Sequence, residues 1–124
     1  MFRWNPEVGD ILTAVIGLAC RGGEQLPIRK VYSVLSELKG TDAFLSGLYF
    51  SITGAVFYSR QIDETLRSLV ARGILVPKEQ DIVAVRDDAV PKVRARLRRK
   101  LPSSVYRSLQ GTSKRFYEKL FVSR

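Results

Sequence analysis

Ser59-Arg-Gln-Ile-Asp-Glu-Thr-Leu-Arg-Ser-Leu-Val-Ala-Arg-Gly-Ile-Leu-Val-Pro-Lys-Glu-Gln-Asp-Ile-Val-Ala-Val85 changes its hydrophobic period part-way along. The first half repeats at helical spacing, with Ile62, Leu66, Leu69 and Val70 on one face. Ser59 is placed to cap that helix, Asp63 and Glu64 lie near its positive end, and Gly73 stops it. The second half holds two apolar runs, Ile74-Leu75-Val76 and Ile82-Val83-Ala84-Val85, around the polar turn Pro77 to Asp81, and predicts a β-hairpin.

Upstream, Asn5-Pro6-Glu7 offers an N-cap, a proline for the first turn and an acid. Val8, Ile11, Leu12, Val15, Ile16 and Ala19 then carry a helix to about Cys20. Gly22-Gly23 ends it, and Pro27 opens a second helix with Ile28, Val31, Tyr32, Leu35 and Leu38 on its buried face. From Phe44 to Tyr58 aromatic and β-branched residues are broken by Gly47 and Gly54, which predicts a short strand around Leu48 to Ile52 and a turn. The expected class is α+β, mainly α with a small β-hairpin. Residues 1–86 form the domain and 87–124 a basic, aromatic helical extension, packed on that domain or used for dimerisation.

Helix, helix, helix, hairpin is the order of a winged helix, and Ile28 to Leu75 resembles that superfamily. Ser59 to Arg72 stands in the place of its recognition helix and Ile74 to Val85 in that of its wing. Within the superfamily, Leu48 to Leu75 is similar to the phage-associated Panacea-type small proteins, which share an aromatic strand, a turn, a helix and a closing Gly-Leu-Ile. Here the turn Gly54-Ala55-Val56-Phe57-Tyr58-Ser59 lacks their proline and is two residues longer. The superfamily implies DNA binding, and the Panacea-type likeness implies an antitoxin or adaptor role.

Charge is segregated along the chain. Arg86 to Arg124 contains 12 Lys or Arg against 3 Asp or Glu, a net +9 equal to that of the whole protein, while residues 1 to 85 balance. A cationic segment on a neutral body points to a polyanion, above all nucleic acid. Its densest part follows Asp87-Asp88, which are placed to cap a fourth helix. Val90, Val93, Leu97 and Leu101 form a narrow apolar seam, and Lys92, Arg94, Arg96, Arg98, Arg99 and Lys100 lie off it. Six cations in nine residues with no acid among them repel one another unless a partner screens them. If five neutralise phosphates, the slope of log K on log salt for duplex DNA is about −4.5. Pro102 ends the helix, and two short segments follow, Ser103 to Leu109 and Ser113 to Phe121.

On the third helix, Arg60, Gln61 and Arg67 face outward with Glu64 and Ser68. Arg and Gln can address guanine and adenine edges, whereas Glu64 repels phosphate unless it accepts from a cytosine amino group. The hairpin tip carries Lys78 with Glu79 and Asp81, so it has little phosphate grip. Phe116, Tyr117, Leu120 and Phe121 share a stripe suited to core or dimer packing more than to base stacking. The seam of Val93 and Leu97, with Phe116 and Leu120, is the expected homodimer interface.

Without histidine there is no Ser/His/Asp triad or Cys/His dyad, and with Cys20 alone no plausible zinc site or internal disulfide. Cys20 reads as a buried small hydrophobe, and Gly22-Gly23 lacks the Gly-Lys-Ser/Thr ending of a phosphate-binding loop. No apolar run reaches a membrane span, and the start at Met1 has no signal-peptide pattern, so a cytoplasmic protein is expected. The expectation is a non-enzyme without cofactor, binding double-stranded DNA as a dimeric transcriptional regulator. Its alternatives are an antitoxin or adaptor module with an acidic protein partner, and RNA binding through the same cations.

Overall fold

The computed structural model describes residues 8–19, 23–53 and 56–122. The Asn5-Pro6 cap, Cys20 and Gly22 lie outside these residues. The chain forms α1 (Val8–Ala19), β1 (Gln25–Pro27), α2 (Ile28–Lys39), a 3₁₀ turn (Ala43–Leu45), β2 (Ser51–Thr53) and β3 (Val56–Tyr58). It continues through α3 (Arg60–Ala71), β4 (Leu75–Glu79), β5 (Ile82–Val85), α4 (Val90–Lys100), α5 (Ser103–Tyr117) and a π-helical turn (Glu118–Val122). The fold is mainly helical with a small antiparallel sheet, as the α+β pattern predicts. Among the described residues no helix is long and apolar enough to cross a membrane.

The Ser59 to Val85 stretch folds as its period dictates. Ser59 Oγ accepts from Ile62 N at 3.4 Å, and Gly73 takes φ +76°. There Ile74 N donates to Leu69 O and Gly73 N to Val70 O, at 2.9 and 3.0 Å, which is a Schellman ending. Hairpin β4–β5 follows, with Pro77 inside β4 and a register shift between Pro77 and Glu79.

Four local expectations are corrected. A third strand, β1, pairs antiparallel with β5, Leu26 opposite Val83, and gives the sheet order β1-β5-β4. In place of one strand around Leu48 to Ile52 there is a second hairpin, β2–β3, with Ser51 opposite Tyr58. Neither Asp87 nor Asp88 caps α4, whose N-cap is Ala89 without a side-chain bond; Asp88 instead pairs with Arg86. Ser103 to Tyr117 is a single helix running through Gly111, because its buried face is continuous through Leu109, Thr112, Ser113 and Phe116.

The predicted dimer seam is also corrected. Val93, Leu97, Phe116 and Leu120 are 6%, 5%, 0% and 2% exposed within a single chain, in one core with Ile11, Leu12 and Leu35. A narrow apolar stripe requires a covering surface, and here the chain's own α1 supplies it. Residues 87–124 thus contribute to the same core as residues 8–86.

Helix α1 is buried on nearly every side, with α3, α4 and α5 packed around it. Gly17 allows the approach of α4: a Cβ there would stand 2.7 Å from Val93 Cγ1, and a β-branched side chain has little rotamer freedom to yield. Gly17→Ala is expected to lower stability by about 1–3 kcal/mol despite alanine's better helix propensity. Chemical denaturation of the single variant and of the Gly17→Ala, Val93→Ala pair checks this, because the second change must recover part of the loss.

Helix α5 is fastened to the body by a buried carboxylate. Asp42, 6% exposed, caps the 3₁₀ turn by accepting from Phe44 N at 3.0 Å. Its other oxygen accepts from Thr112 Oγ1 at 2.6 Å and from Arg115 Nη2. Ser113 Oγ donates to Ala14 O at 3.2 Å, so two adjacent α5 residues bond to different parts of the body.

Tyr32 is a buried phenol on α2, its ring 6.0 Å from that of Tyr58. Burial, and then the charges of Asp63 and of an ionised Tyr58, push its pKa up to about 12, against a smaller opposing effect of Arg67. The folded state therefore holds this proton to higher pH than the unfolded chain, whose phenol titrates near 10.0. This contribution to stability is complete below pH 10 and is lost as pH rises toward 12. Tyr32→Phe should lose less stability than the parent over that interval, by on the order of 1 kcal/mol, as read from denaturation curves at each pH.

Candidate nucleic-acid interface

Helix α4 turns Val90, Val93 and Leu97 inward, which distributes its six cations over the remaining surface. Three are tethered. Arg94 Nη2 donates to Leu18 O at 3.3 Å, leaving Nε buried without a partner. Arg98 Nε donates to the Tyr106 hydroxyl at 3.4 Å, with its guanidinium 5.7 Å from that ring's centre. Lys100 Nζ lies 2.8 Å from Asp10 Oδ1. Lys92, Arg96 and Arg99 are exposed. These three, at spacings of four and three, form one outward row.

The outward face of α3 is neutralised by its own acids. Arg60 Nε lies 2.9 Å from Glu64 Oε1, and Arg67 Nε 3.0 Å from Asp63 Oδ2. Such exposed pairs are worth little, so both arginines remain releasable. Gln61 does not. Its Oε1 accepts from Tyr49 N at 2.8 Å and its Nε2 donates to Gly47 O at 3.0 Å, so it braces the 47–49 loop. The expected adenine reader is thereby corrected to a structural brace, since its amide already satisfies backbone groups that would otherwise need new partners.

Between the end of α3 and the start of α4 lies a cleft of about 310 Å³. Arg72, Arg86, Lys92 and Arg96 line it, with Gly73 and Asp88. Arg86 grips Asp88 with both arms, at 3.1 and 2.9 Å. Its backbone is fixed to the same turn by Arg86 N donating to Ile74 O at 3.0 Å. The basic helix therefore begins beside the C-terminal end of α3. No family model, curated protein or solved structure matches the chain.

Arg72 and Arg86 were not among the sequence candidates. Nothing in their spacing joins them to α4, 20 and 6 residues before Lys92. The available signal was Gly73, because a Schellman ending turns the chain sharply and holds the preceding side chain at the corner. With Arg72 added, the cationic surface runs from that corner along Lys92, Arg96 and Arg99. Its arms are long, exposed donors suited to phosphate oxygens. The tip of β4–β5, with Lys78, Glu79 and Asp81 all exposed, retains its mixed charge.

Proposed function

We propose that this chain is a cytoplasmic DNA-binding protein of the winged-helix type, acting as a transcriptional regulator, in which α4 rather than α3 supplies most of the affinity. The observation that carries the reading is the outward row Lys92, Arg96 and Arg99, which has no acidic partner among the described residues and continues into Arg72. Uncompensated like charges on one face are unfavourable alone and favourable against a polyanion. The order α1-β1-α2, then α3-β4-β5 after the inserted β2–β3 hairpin, with β1 added to the β4–β5 hairpin, supports the winged-helix part. Arg60 and Arg67 would exchange their surface ion pairs for base or phosphate contacts, at small cost.

Fluorescence anisotropy with a random labelled duplex tests the reading. Affinity should fall by about 10³-fold or more between about 50 and 200 mM salt if the tethered cations join the outward row. Absence of binding at the lower salt would overturn it, and would leave the cationic surface to an acidic protein.

A further inference from the structure

The cleft between α3 and α4 gathers more positive charge than a single phosphodiester carries. Asp88 is occupied by both arms of Arg86. Arg72, Lys92 and Arg96 share the lining with no other acid, which leaves three uncompensated positive charges around about 310 Å³. A phosphodiester brings a single negative charge. A pyrophosphate group, with a terminal phosphate that titrates near pH 6, brings about −3 at neutral pH. The volume is at the small end of ligand pockets. No aromatic side chain lines it.

A tight turn at Gly73 forms one side of the cleft. Gly73, at φ +76°, is closed by the two Schellman bonds, and a Cβ there would stand 3.5 Å from Arg86 Nη1. The positive φ is what calls for glycine here, since a Cβ would make only ordinary contact with the guanidinium. Arg86, already held by Asp88, adds little ordering cost when an anion binds.

We propose that this cleft is a binding site for an oligophosphate group, carried either by a soluble nucleoside di- or triphosphate or by the phosphorylated 5′ end of a nucleic-acid strand. Arg72, Lys92 and Arg96 hold the phosphate oxygens, and Arg86 closes one wall. The site shares Arg72, Lys92 and Arg96 with the duplex surface and depends on that reading in no other way.

Calorimetric titration of the full chain with inorganic pyrophosphate, at constant ionic strength and without divalent cations, tests this. A dissociation constant of about 100 μM or tighter is expected. Arg72→Gln should weaken it about tenfold, the value of a charge-assisted contact, while Arg107→Gln, exposed on α5 and outside the cleft, leaves it unchanged. Binding weaker than about 1 mM overturns the proposal, as does an equal effect of the two variants. Competition by a nucleoside triphosphate alone assigns a soluble ligand, and competition by a 5′-triphosphorylated oligonucleotide alone assigns a strand end; competition by neither overturns the site. A 5′-hydroxyl duplex measured in parallel reports the DNA reading separately, so either can fail without the other.

Discussion

Lys92→Gln, Arg96→Gln and Arg99→Gln combined should weaken duplex binding roughly 10²- to 10³-fold near 0.1 M salt and flatten the salt slope by about 2.7. Each outward cation that neutralises a phosphate releases counterions, and each contributes about 0.9 to the slope. Three such contacts make the largest effect expected from any small set of changes on this surface. The stability of the triple variant should stay close to the parent's, because these side chains make no hydrogen bond or ion pair within the described residues. Arg60→Ala and Arg67→Ala provide the contrast, since those arginines are matched by Glu64 and Asp63. Their loss should leave affinity for random duplex within a few-fold and act instead on sequence preference. An unchanged slope in the triple variant would mean that α4 does not touch phosphate.

Asp42→Ala should destabilise the fold by about 3 kcal/mol, the loss expected when the buried half of a charged network is deleted. The carboxylate serves three donors at once, Phe44 N, the Thr112 hydroxyl and Arg115. Removing it uncaps the 3₁₀ turn and leaves the hydroxyl of Thr112, 1% exposed, only Ser108 O, at a long 3.4 Å, to donate to. Arg115→Ala is the informative partner. Its side chain is 53% exposed, so it returns to water easily and should cost under about 1 kcal/mol. Urea denaturation of both variants measures the asymmetry. Equal losses would show that the ion pair, rather than the buried oxygen's hydrogen bonds, fastens α5.

What the sequence disclosed follows the range of the interactions involved. Ser59, Gly73 and the apolar runs around Pro77 act on near neighbours, so α3 and the β4–β5 hairpin were legible. Gln25-Leu26-Pro27 carries no strand pattern of its own and becomes a strand only against Ala84, Val83 and Ile82, far along the chain. Gly111 reads as a helix stop until the packing of Leu109 and Phe116 on the body outweighs its weak propensity. The seam of Val93 and Leu97 was visible as a face that must be covered, but periodicity does not identify the cover. The same limit holds for the site. The cations of α4 were evident, whereas Leu18 O, Tyr106 and Asp10, which hold three of them, are brought there only by tertiary packing. Gln61 looked like a reader because its bonds to Gly47 and Tyr49 cross a loop.

The central position of α1 has a consequence for biosynthesis. The first described helix is also the most deeply enclosed, and much of its cover is α5, near the other end of the chain. At a translation rate of about 5–20 residues per second, Ile11, Leu12, Val15 and Ile16 wait roughly 5–20 s before Leu109 and Phe116 exist to shield them. Over that interval α3 and α4 can supply only part of the cover of α1, and the face that α5 takes stays open. Completion of the native core therefore awaits the synthesis of α5.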